Sequence, residues 1–174
     1  MKHITLIIIA MLFSIGAFAQ QQYDTDFTQT KLMKVSGKTT EKVGHLVFDG
    51  NDHLSMIYTE PEGDYFIIEG NMVKINMDGK KADLDSEKVK MVQLQRSTLL
   101  NCLSGNWEQA AEDNNADLTV TEKNGLKTVS IIARGKVPRG GYNSVELTYR
   151  LSDGMMTKMI LVEAIGIQNT YEIK

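Results

Sequence analysis

Cysteine is nearly absent from this chain of 174 residues, and the single one, Cys102, cannot form an internal disulfide. Packing must hold the fold, and a lone thiol with no histidine near it in sequence reads as a buried apolar side chain rather than a nucleophile. There are two prolines and no Pro-, Gly- or Ser-rich tract, so no linker divides the chain. No internal repeat is present. The formal charge is −3 with no run of one sign, which excludes the basic stripe expected of a nucleic-acid binder. Histidine is scarce as well. Beyond the N-terminus only His45 and His53 remain, and they lie on different parts of one hairpin, so no metal pair is expected. "DLDSEK" (Asp83 to Lys88) alternates carboxylates but lacks the turn glycine of a calcium loop. "RGKVPRGG" (Arg134 to Gly141) joins two strands rather than opening a helix, which argues against a phosphate cradle. It reads as a solvated loop or as a contact for a partner or a headgroup. These absences predict a protein that is not an enzyme and takes no metal and no cofactor.

The one long apolar run, "ITLIIIAMLFSIGAF", follows Lys2 and His3 and ends at Ala17-Phe18-Ala19. Its length and A-x-A ending predict a secretory signal peptide over residues 1–19, cleaved after Ala19. The cleavage region has no cysteine, so bacterial lipidation is not expected there. Removing Lys2 takes the formal charge from −3 to −4. Residues 20–174 are then long enough for one domain with a real core. Methionine is plentiful, ten against one tryptophan, and it fills irregular space or lines adaptable surfaces.

What remains is mostly strand. Apolar residues alternate with polar ones, and Gly50-Asn51, Gly70-Asn71, Asp78-Gly79, Asn124-Gly125 and Asp153-Gly154 supply tight turns. A two-residue loop at Gly70-Asn71 pairs Ile68 with Val73 and Phe66 with Ile75, placing those four on one face. Closing the preceding hairpin at Gly50-Asn51 sets His53 opposite Phe48 and gathers Leu54, Met56 and Tyr58, with Leu46 on a neighbouring strand. In the second half Leu147 shares a face with Val145 and Tyr149, and Met159 with Leu161. About eleven antiparallel strands are too many for a flat sheet, so the sheet should curl.

Between Asp85 and Asp113 the period changes to helical. Val89, Val92, Leu99, Leu100 and Leu103 fall on one stripe with Arg96, near which the helix is expected to start, and Ser104-Gly105 supplies a stop. A short second helical turn is expected from Trp107 to Glu112. A lone amphipathic helix between two groups of strands can plug or cover a concave apolar face.

Several motifs in order resemble the LolA-type outer-membrane lipoprotein carriers: "DFTQTK", "VGHLVFD", a strand running into "TEP", "FIIEGNMV", "STLLNCLSG" and "DGMMTKMILVEAIGIQNTYEI". The resemblance spans the whole chain after the N-terminal run. It implies an α+β fold: a strongly curved, half-closed antiparallel barrel capped by a helical lid. It also implies a monomeric periplasmic carrier that takes acylated lipoproteins from an inner-membrane donor complex to an outer-membrane acceptor. Phe27 falls in the family's F-x-Q strand, Leu54, Met56 and Tyr58 in a cavity strand, and Leu99, Leu100 and Leu103 in the lid. With Leu46, Phe66, Ile68, Val73, Ile75, Leu147, Met159 and Leu161 these are the expected lipid-binding residues. Where many members have Arg-Pro ahead of a Phe-x-Trp strand, this chain has Gly50-Asn51 and then Leu54-Ser55-Met56. Exposing two chains of about sixteen carbons to water would cost on the order of 25 kcal/mol, which is why such cargo needs a carrier. The alternatives are a carrier for another lipid or lipid-linked product, and an interaction module whose concavity is filled core.

Overall fold

Alternation punctuated by turn pairs gives eleven antiparallel strands in the computed structural model, which describes residues 21–174. The expected signal peptide and its cleavage point therefore lie outside the described residues. The first group of strands is β1 (Tyr23–Met33), β2 (Lys38–Phe48), β3 (His53–Glu60), β4 (Tyr65–Glu69), β5 (Met72–Met77) and β6 (Lys80–Asp85). Two helices follow, α1 (Lys90–Leu103) and α2 (Trp107–Asp113). The second group is β7 (Ala116–Lys123), β8 (Leu126–Ala133), β9 (Tyr142–Arg150), β10 (Met156–Glu163) and β11 (Ile167–Ile173). The order across the sheet is β6-β5-β4-β3-β2-β1-β11-β10-β9-β8-β7.

That order has a direct consequence. Each group is a meander, the two meanders meet where β1 pairs with β11, and β6 and β7 are left as unpaired margins. Because the helices join β6 to β7, they bridge the two margins of a curved sheet that does not close. This is the half-barrel with a helical lid that the sequence leads one to expect.

Turn chemistry sets the register. Asp78 and Gly79, and likewise Asn124 and Gly125, have positive φ at both central positions, the geometry that two-residue hairpins require. Glu69 pairs with Met72, Ile68 with Val73 and Phe66 with Ile75, as expected from a two-residue loop. The β2–β3 hairpin differs. Phe48 pairs with Leu54, not His53, and the Asp49 amide donates to the His53 carbonyl at 3.2 Å. The Asp49 carboxylate accepts from the backbone of Asn51 (2.8 Å) and His53 (3.3 Å), stabilising a three-residue turn. The shift of one residue sets Leu54 and Met56 opposite Phe48 and Leu46, on the same face of the sheet.

α1 starts at Lys90, earlier than Arg96. Asp85 organises the preceding turn, its carbonyl accepting from Lys88 and Val89 and its carboxylate from Glu87. Val89 thus becomes the residue flanking the helix and is 41% exposed, so it does not join the apolar stripe. Val92, Leu99, Leu100, Cys102 and Leu103 do. The helix ends at Ser104 with Gly105 at φ 80°, and the expected short helix after Trp107 is α2.

The core lies between helices and sheet. Phe27 is fully buried, with its ring against Gly44, where an added Cβ would come within 2.8 Å of the ring and 2.6 Å of the Ile57 carbonyl. Only glycine leaves room for that ring beneath the irregular pairing at Val43–Gly44. At the other side Trp107 Nε1 donates to the Tyr149 hydroxyl (2.9 Å), which donates to the Cys102 carbonyl (3.2 Å). Cys102 is fully buried, and burial pushes its thiol up to about 12, far from nucleophilic.

Candidate ligand-binding hollow

Packing between sheet and α1 is incomplete and leaves a hollow of about 250 Å³. Leu46, Leu54, Met56, Tyr58, Phe66 and Ile75 line it from the first meander. Met159 and Leu161 line it from the second, and Leu99 and Leu103 come down from the helix. The other expected residues lie elsewhere. Phe27 sits beneath the floor, edge-on to Tyr58 with ring centroids 5.3 Å apart. Ile68 and Val73 pair across β4 and β5 and are spent on core packing. Leu147 is fully buried between Val129 and Met159. Leu100 turns toward the β2–β3 loop, where it lines a separate depression with Gly50, Asn51 and Asp52.

One end of the hollow is polar, and of the residues that make it so only Tyr58 is among those singled out from sequence. The Tyr58 hydroxyl donates to Gln29 Oε1 (2.7 Å), and Gln29 Nε2 donates to Asn169 Oδ1 (2.9 Å) and toward the Tyr171 hydroxyl (3.3 Å). Asn169 Nδ2 in turn donates to Glu163 Oε1 (3.0 Å). Gln29 and Asn169 are buried, so this chain of bonds is what makes their burial tolerable. Burial holds the Glu163 carboxyl above its ordinary range, against the opposing effect of the Asn169 bond. Burial likewise pushes the Tyr58 and Tyr171 hydroxyls up, so both stay neutral. Lys42 sits between Asp64 (2.6 Å) and Asp78 (2.9 Å), its ammonium 5.7 Å from the centre of the Tyr58 ring.

The signal for this end was available in the strand period. Gln29 and Lys31 continue the Phe27 face of β1, Asn169 continues the Tyr171 face of β11, and Glu163 continues the Leu161 face of β10. Lys31, Thr40, Lys42 and Asp78 line both the hollow and a neighbouring depression of about 260 Å³ that adds Met33 and Lys38. The hollow therefore leads outward past these residues.

The helix over it is fastened on both sides. Arg96 Nε donates to the Gly70 carbonyl in the β4–β5 turn at 2.6 Å, and Gln95 Nε2 donates to the Gly140 carbonyl in the β8–β9 loop. Arg96, on the apolar stripe, is thus a fastening to the first meander and Gln95 one to the second.

Among the described residues no group of three His, Cys, Asp or Glu side chains could hold a metal ion. His45 hydrogen-bonds Asp26 (2.9 Å) and Asp24 (2.8 Å), away from the hollow. Among the described residues no helix is long and apolar enough to cross a membrane.

No protein-family model matches the chain, and no curated protein matches it. Solved structures do. The chain is similar to a LolA superfamily protein of Nitrosomonas europaea at 12% identity, over 89% of this chain and 84% of that one, with a TM-score of 0.40. It is similar to a DUF1329 family protein of Desulfovibrio piger at 10% identity, over 88% and 84%, with a TM-score of 0.40. It is also similar to a chain of the MucA/MucB complex of Pseudomonas aeruginosa at 13% identity, over 88% of this chain and 50% of that one, with a TM-score of 0.43. The functional reading rests on the hollow itself.

Proposed function

We propose that the protein is a carrier for acyl chains, acting in the periplasm after export. The observation behind this reading is a hollow, apolar at one end and polar at the other, lined by both meanders and covered by a helix that its Arg96 and Gln95 side chains fasten to each. With the helix in this position the hollow, about 250 Å³, falls just below the ~300–1,000 Å³ typical of small-molecule sites. It accepts part of one hydrocarbon chain, and a cargo with two or three chains requires the helix to rise. Methionine at positions 56, 77 and 159 gives walls that adapt to such a change. The preferred cargo is an acylated lipoprotein, moved from an inner-membrane donor to an outer-membrane acceptor. A carrier of another lipid is the second reading, favoured by the polar end, which could receive a hydrogen-bonding headgroup.

Native mass spectrometry of the freshly purified protein tests the carrier itself, and bound lipid is the expected result. A fluorescent fatty acid should be taken up by the native chain and excluded by Met56→Trp, which fills the hollow. If neither lipid nor probe ever binds, the concavity is core and the carrier reading fails. Transfer of radiolabelled lipoprotein from membranes to the protein, without transfer of phospholipid, separates the first cargo from the second.

A further inference from the structure

Three neighbouring reversals at one end of the sheet carry cations and exposed aliphatic side chains but no carboxylate. They are residues 33–38 between β1 and β2, 134–141 between β8 and β9, and 164–166 between β10 and β11. Register brings them to the same end, since Met33 pairs with both Lys38 and Ile167, and Glu163 pairs with Tyr142. They are also bonded edge to edge. The Lys34 amide donates to the Gly166 carbonyl, and the Ala164 amide to the Gly141 carbonyl, each at 2.9 Å.

Val35 at the first tip is 94% exposed and Ile165 at the third is 46% exposed. Around them stand Lys34, Lys38, Lys136 and Arg139, none held in a salt bridge among the described residues, while Arg134 is tied to Asp117 at 2.7 Å. Most of the nearby carboxylates are occupied or set aside, Glu41, exposed on β2, being the exception. Asp64 and Asp78 bind Lys42, Glu163 accepts from Asn169, and Glu60 and Glu62 lie on the far side of β2 in the β3–β4 turn. The reversals at the opposite end have the other sign, carrying Asp49, Asp52, Glu87 and Asp153.

We propose that the cationic end is a docking surface for a bilayer containing anionic phospholipid, with Val35 and Ile165 entering the headgroup layer. Two projecting aliphatic side chains are too little area for a stable protein interface, which needs roughly 800 Å² from each partner. They suit an interface where apolar tips sink and lysines stay at the phosphates. The depression lined by Lys38 and Lys42 opens at this same end, so a docked bilayer faces the way into the hollow. The proposal stands whether or not the hollow carries lipid, because docking is read without uptake.

Cosedimentation with vesicles tests it. The protein should bind vesicles of phosphatidylglycerol and phosphatidylcholine in equal parts and should ignore pure phosphatidylcholine. Raising the salt until the screening length falls to ~8 Å should weaken binding. The double substitution Lys34→Glu, Lys38→Glu should weaken it by ~tenfold or more, and the uncharged Val35→Ser should weaken it at unchanged salt dependence. All three side chains are exposed, two in the β1–β2 turn and Lys38 at the first position of β2, so thermal unfolding should be unaltered. Asp52→Lys, which adds the same sign of charge at the opposite end, should change binding little. The proposal is overturned if the native protein binds neither vesicle or both equally. It is also overturned if Asp52→Lys strengthens binding as much as the tip substitutions weaken it, or if binding to an acidic polypeptide matches the vesicles and survives Val35→Ser.

Discussion

The two ends of the hollow are held by different forces. Toward Leu46, Leu54, Met56 and Leu103 the walls are hydrocarbon, their contacts are non-directional, and shape decides the energy. Toward Gln29, Asn169 and Glu163 the walls are polar, and every buried group is committed to a particular partner. The first end can yield to a cargo by repacking. The second cannot shift without leaving a donor or acceptor unmatched, so it fixes the hollow's orientation while the apolar end adapts.

Removing shape at the apolar end should have the largest effect. Leu103→Ala deletes a side chain that is 1% exposed and should cost ~2–5 kcal/mol in urea unfolding. At the polar end, Gln29→Leu conserves bulk but strands the Tyr58 hydroxyl and Asn169, and should cost ~1–3 kcal/mol by the same measurement. If that variant were as stable as the native chain, the contrast between the ends would collapse. Arg96→Ala removes the side-chain fastening of α1 to the first meander and should cost ~0.5–1.5 kcal/mol. Hydrogen exchange should accelerate within α1 and stay unchanged in β1 and β2, and a uniform change would deny that the helix moves separately.

The smallest effect concerns pH. Glu163 is raised above 4.5 in the folded protein, chiefly by burial, so the folded state holds its proton more tightly than the unfolded chain. Stability from this group is present below 4.5 and is lost as pH rises through the folded value. Glu163→Gln keeps an acceptor for Asn169 and should abolish that loss, leaving the variant relatively more stable at neutral pH. A difference that grows on acidification instead would reverse the assignment.

The apolar half of this picture was legible in the sequence because it follows two simple periods. Strand alternation and turn pairs located Phe66, Ile75, Met159 and Leu161, and helical spacing located Leu99 and Leu103. The polar half is hidden from alternation traced through hydrophobic residues alone, although Phe27, Gln29 and Lys31 share one face of β1. Depth was harder still. Ile68, Val73 and Leu147 lie on the correct face yet are consumed by packing between neighbours, and only three-dimensional curvature decides which inward residue reaches open space. The β2–β3 register slipped because an Asp side chain, invisible to a turn-pair rule, lengthened the loop by one residue.

Because α1 and α2 are spliced between the sheet's two free margins, the covering segment is tethered at both of its ends, like the handle of a bucket. Such a piece cannot swing aside as a door does on a hinge. It can only arch upward, and as it arches it pulls β6 and β7 with it, so widening the entrance and spreading the margins are one motion.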